Sequence, residues 1–162
     1  MSGALTTFLP TFVKTQGQSL WFGGIALAVL EFAGAVGAFS AGTLSDRLGR
    51  RRVLLTALIT APVFMLIFLA VKGWLILPLL VLMGLAVFST TPVIMAVVQD
   101  HAGDHPATAN GLYMGISFVT NALIPLLVGG FADLVGLRTA FAWSAFLALL
   151  GVPLIFALPR DE

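Results

Sequence analysis

Gly42-Thr43-Leu44-Ser45-Asp46-Arg47-Leu48-Gly49-Arg50-Arg51-Arg52 is an island of charge between two long apolar segments. One acid and four arginines sit in a glycine-bounded turn, and the runs on either side are long enough to cross hydrocarbon. Lysine and arginine accumulate at the cytoplasmic ends of membrane spans, so this turn reads as a cytoplasmic hairpin of a polytopic membrane protein.

Composition excludes the soluble classes. The chain of 162 residues is 59% hydrophobic and 9% charged, with a mean hydropathy of +1.07, whereas soluble domains carry roughly 25% charged residues. Net charge is +1, too little for a basic field that would hold nucleic acid. Cysteine is absent, which removes disulfides, thiolate catalysis and thiolate metal sites. Residues 1–13 carry neither a basic leader nor a small-residue cleavage site and do not read as a signal peptide.

A hydrocarbon core takes about 20 apolar residues per helix. Five stretches meet that length, at about 21–43, 53–71, 75–98, 111–134 and 139–158. Residues 2–13 offer only about 12 positions and include Pro10, so they read as the outer part of a truncated first helix. The whole chain, 1–162, is then one transmembrane domain of six helices. Alternation from the arginine hairpin puts the 14–20, 72–74 and 135–138 connections outside, and the 99–109 loop and the C-terminus inside. The 99–109 loop contributes Asp100 and Asp104 but no lysine or arginine, so the orientation rests on the hairpin.

A repeat supports this topology. Gly42, Asp46 and Gly49 recur as Gly129, Asp133 and Gly136 at one offset of 87 residues (129−42, 133−46 and 136−49). The offset contains three spans, and three is odd, so the copies face opposite sides of the membrane as in inverted-topology carriers. Polarity then sorts the spans. The third and sixth are bland enough to face lipid. The second carries Gly34, Ala38 and Gly42 in one row with Ala33, Gly37 and Ala41 beside it, a face another helix can approach closely. The fifth shows a polar stripe of Tyr113, Ser117, Thr120 and Asn121, and the fourth a polar break at Ser89-Thr90-Thr91-Pro92.

Gly42, Leu44, Asp46, Arg47, Gly49, Arg50 and Arg51 match each fixed position of the pattern G-x-L-x-D-R-x-G-R-[KR]. In this the chain resembles the major facilitator superfamily of secondary transporters, where the pattern occupies the loop between the second and third helices of a six-helix half. Asn110-Gly111-Leu112-Tyr113, residues 125–130 and residues 132–137 are similar to the C-terminal half of that fold. Thr7-Phe8-Leu9-Pro10 with Gly17 and Ser19 is similar to the seventh-helix exit of drug-efflux members, of the fosmidomycin-resistance type. The resemblance implies an all-α helical bundle of two inverted three-helix repeats, with the third helix of each repeat outermost and the second at the boundary between halves. It also implies that Asp46 and Arg50 form a charge network that latches one closed conformation, within the motif Gly42, Asp46, Arg47, Gly49, Arg50 and Arg51.

Glu31 lies near the middle of the second span and is the one acid set deep in an apolar helix. A charged group at that depth costs about 2.5–3.5 kcal/mol on insertion scales, so it must be neutralised, paired or turned toward water. It is either a proton-coupling or substrate-sensing group, or a packing acid bonded within the bundle. Tyr113 and Asn121 serve equally as pathway groups or as hydrogen-bond glue between helices. Arg51 and Arg52 suit anchors at lipid headgroups. His101, Asp104 and His105 have a spacing that could ligate zinc on a helix, but Gly103 and Pro106 oppose a helix there, so no metal site is expected. No catalytic constellation and no cofactor motif occurs.

The sequence therefore predicts the C-terminal half of a secondary carrier in a bacterial inner membrane, exporting small organic compounds against protons, of unspecified substrate. Such a half would need an N-terminal six-helix half, or another copy of itself, to enclose a pathway. Two other readings survive at this level: a non-transporting membrane interaction protein or transporter remnant, and a small channel-like assembly with Glu31 in a shared pore.

Overall fold

The computed structural model describes residues 2–155, all of its regular structure helical and with no strand among them. In chain order the helices are α1 (Ser2–Thr15), α2 (Leu20–Leu48), α3 (Arg50–Ala70), α4 (Ile76–Phe88), α5 (Thr90–Asp100), α6 (Pro106–Val135), α7 (Leu137–Leu150) and α8 (Val152–Ile155), with a single 3-10 turn at Gly73–Leu75. Among the described residues, four helical stretches are long and apolar enough to cross a membrane: α2, α3, the Gly73–Asp100 stretch containing α4 and α5, and α6.

Two expected spans are broken. The fourth divides at Ser89, where the Ser89 and Thr90 hydroxyls bond back to the carbonyls of Ala86 and Val87 at 2.8 Å each and Pro92 offers no amide; both effects bend a helix. The sixth, expected over 139–158, stops at Leu150 and resumes as the four-residue α8. Pro153 lacks the N–H that would bond to Leu149, and the amide of Gly151 turns to the Ala148 carbonyl at 3.1 Å. The last positions of that expected span, and the C-terminus assigned to the cytoplasm, lie outside the described residues.

The core sits where α1, α2, α3, α4 and α7 meet. Leu5, Leu9, Phe12 and Val13 of α1 pack with Phe22, Ala26 and Leu30 of α2, Met65 and Phe68 of α3, Leu80 and Met83 of α4, and Phe141 of α7. Phe12 lies at its centre, its ring centroid 5.3 Å from those of both Phe68 and Phe141, the second edge-on, as aromatic quadrupoles prefer. A smaller cluster of Ala41, Val53, Leu54 and Val93 ties α2, α3 and α5 together nearer the arginine turn.

The small-residue face of α2 meets the close helix approach expected of it. It packs inside this chain, against α4. A methyl group on Gly37 would lie 2.7 Å from the Leu85 carbonyl oxygen, and one on Gly84 would lie 2.5 Å from the Leu30 carbonyl oxygen. The two backbones thus touch, as small residues permit between membrane helices. Gly42 meets nothing within 4 Å. Within this chain α3 contacts α2, α4, α5 and α7, and none of the residues in the most apolar stretch of α6 is buried.

Candidate functional site

The arginine turn is compact. One residue, Gly49, separates α2 from α3, at φ 90° and ψ 136°; a side chain there would be strained, because positive φ favours glycine. Arg50 is the first residue of α3, and its Nη1 donates to the carbonyl of Ala96 at 2.6 Å while the guanidinium pairs with Asp100. Asp100 ends α5. The arginine thus sits at the negative end of that helix and adds a charge-assisted bond to a carbonyl one turn before it.

Arg50 therefore meets Asp100, not Asp46. Asp46 and Arg47 lie in the last turn of α2 and Arg52 in the first turn of α3, all three exposed, while Arg51 is half-buried. Next to the acid, Ser45 is buried at 1% exposure, its hydroxyl bonded to the Gly42 carbonyl at 2.8 Å. The partnership of Arg50 with Asp100 escaped the sequence reading. Its signal was present: an acid at the arginine-side end of a span, in a loop with no cation of its own.

Glu31 is exposed, on the side of α2 turned away from α4, with Ala28, Phe32 and Ala35 exposed beside it. Phe32 and Phe39 are 76% and 86% exposed, so the chain leaves an apolar flank around one carboxyl group. Tyr113 reaches α5, its hydroxyl 3.5 Å from the Thr91 carbonyl. Asn121 is exposed on α6 and lies next to the start of α1, where a methyl on Gly3 would be 3.3 Å from its Oδ1. Among the described residues, no hydrogen bond or ion pair joins Glu31 to Tyr113 or Asn121. Residues 101–105 form a turn, with Gly103 at φ 52°, and His101 Nδ1 lies 2.9 Å from the Val97 carbonyl. No group of three metal-ligating side chains forms among the described residues.

Long apolar helices joined by minimal turns, with charge confined to the turns and to one mid-span carboxyl, define an integral, multi-span membrane protein. The chain belongs to the major facilitator superfamily, whose family model matches residues 1–162; members of this family are transporters. It is 32% identical over 147 residues to the uncharacterized MFS-type transporter YfnC of Bacillus subtilis (strain 168), covering 91% of this chain and 34% of that protein. It is 32% identical over 158 residues to the multidrug efflux pump Tap of Mycolicibacterium fortuitum, covering 96% and 38%. To the multidrug resistance protein MdtG of Proteus mirabilis (strain HI4320) it is 36% identical over 149 residues, covering 85% and 36%. The chain thus spans little more than a third of the length of these relatives. No solved structure matches it significantly.

Proposed function

We propose that this chain is the carboxyl-terminal half of a proton-coupled carrier that exports small organic compounds across a bacterial inner membrane. The carrying observation is Glu31. It is a carboxyl group midway along an apolar helix, on a face that none of the described residues covers. Such groups in carriers face the pathway rather than lipid, because hydrocarbon penalises them. The multidrug efflux names of two relatives support export of organic compounds. An amino-terminal half would close the pathway over the flanks of α2 and α6, and the two halves would rock about it. The arginine turn would hold one closed state, with Arg50 fixing α3 to α5 and Asp46 turned outward to meet the other half. The orientation follows the arginines, with the 46–52 turn in the cytoplasm.

The test is transport by everted membrane vesicles containing the chain together with an amino-terminal half. Uptake driven by an imposed proton gradient is expected, and Glu31→Gln should reduce it to background while leaving insertion intact, because the amide keeps the shape but cannot titrate. Undiminished gradient-driven uptake by Glu31→Gln removes Glu31 from the coupling. Failure of the wild-type pair to transport favours the non-transporting interaction protein.

A further inference from the structure

The repeat seen in the sequence is also a repeat of backbone structure. Gly49 joins α2 to α3 at φ 90°, ψ 136°, and Gly136 joins α6 to α7 at φ 87°, ψ 151°. In the first turn the glycine N–H donates to Ser45 at 3.0 Å and its carbonyl accepts from Val53 at 3.3 Å; in the second the same bonds run to Ala132 at 2.7 Å and from Ala140 at 3.1 Å. Side-chain exposure repeats as well. Ser45 and Ala132 are buried, and the acids that follow them, Asp46 and Asp133, are exposed. Arg51 recurs at the same offset as Arg138, while Arg50 is replaced by Leu137. With three spans between them, α3, the α4–α5 stretch and α6, the two turns are expected at opposite faces of the membrane.

Both acids occupy the last turn of their helix, where the macrodipole disfavours negative charge. Neither has an ion-pair or hydrogen-bond partner among the described residues. Each points away from the bundle beside a turn whose backbone bonds are otherwise satisfied. A helix N-terminus outside this chain would supply the missing positive potential to either one.

We propose that the Asp133–Arg138 turn is a second latch, closing against the amino-terminal half at the membrane face opposite the arginine hairpin, with Asp133 seated on a helix N-terminus of that half. The relatives are nearly three times the length of the matched region, so chain enough for such a half exists in them. The proposal rests on the carrier reading above. In a rocking carrier the two faces close alternately, so the latches act with opposite sign: the Asp46 turn stabilises the state closed on its side, and the Asp133 turn the state closed on the other. The second turn lacks an arginine clasp of the Arg50 kind, so its closure depends on the acid alone.

The chain has no native cysteine, so one cysteine replacing Thr120, exposed on the polar stripe of α6, reports access from either side. In the assembled carrier, Asp133→Asn should raise labelling by an impermeant thiol reagent from the Asp133 side about two- to five-fold. Asp46→Asn should raise it from the arginine side instead, and the double variant should return toward the wild-type balance. Asp133→Glu, which keeps the charge, should restore most of the wild-type pattern, separating a charge effect from misfolding. If the carrier transports but Asp133→Asn leaves two-sided access unchanged, or shifts it in the same direction as Asp46→Asn, the turn is a solvated connection only and the latch is refuted. If the unmutated carrier neither transports nor shows access from both sides, the carrier reading fails and takes the latch with it.

Discussion

Arg50 and Asp100 join the first residue of α3 to the last residue of α5 by an ion pair, reinforced by the bond from Arg50 to the Ala96 carbonyl. The aspartate is 51% exposed and the arginine 23%, so solvent screens the pair and its net worth is about 0.5–1 kcal/mol. Arg50→Ala should lower the unfolding midpoint of the purified protein in detergent. Reversal of both charges, Arg50→Asp with Asp100→Arg, should recover part of the loss. A double-mutant cycle with no coupling energy between positions 50 and 100 would show that the pair contributes nothing.

Gly84→Ala should destabilise by about 1–3 kcal/mol, because the new methyl would meet the Leu30 carbonyl oxygen at 2.5 Å and the backbones cannot separate without opening the α2–α4 contact. Gly42→Ala, with open space around it, should be neutral or slightly stabilising, as alanine is the better helix former. Both are read by denaturation in mixed micelles; equal behaviour of the two would contradict the packing described.

Lys72→Cys should react with an impermeant thiol reagent outside intact cells, and His105→Cys should not. Lys72 is preferable to the neighbouring Gly73, whose φ of 70° disfavours any side chain. Labelling of position 105 from outside would invert the topology drawn from the arginines.

Asp46→Asn should slow turnover while substrate affinity changes much less. With Arg50 engaged by Asp100, the charge lost at position 46 is worth only its attraction to a helix end beyond this chain, about 0.3–1 kcal/mol, or roughly a two- to five-fold shift between conformations. Normal turnover, with unchanged access from both sides, would leave the hairpin as a topology signal alone.

Hydropathy made the spans legible, and Ser89-Thr90-Thr91-Pro92 announced the break between α4 and α5, because hydroxyls and proline act on the helix that contains them. Gly151 and Pro153 act in the same local way but lie in a run that stays apolar, so length overrode them in the sequence reading. Relations across the fold were harder to see. The glycines of α2 declared a close approach without naming α4 as the neighbour, since the complementary Gly84 is the one glycine of a helix otherwise rich in large apolar residues. The link between Asp46 and Arg50 is what the family resemblance implies. On the folded chain Arg50, at the start of α3, reaches the distant end of α5, while Asp46, in the last turn of α2, is directed outward.

The single-residue joints at Gly49 and Gly136 also bear on how the protein is made. With one residue between α2 and α3, and one between α6 and α7, neither pair has the slack for its two segments to settle in the bilayer at independent depths. Each pair is therefore expected to partition into lipid as one bent unit. Lengthening either joint by a few flexible residues would uncouple that insertion and leave the order of assembly to the slower search for packing partners.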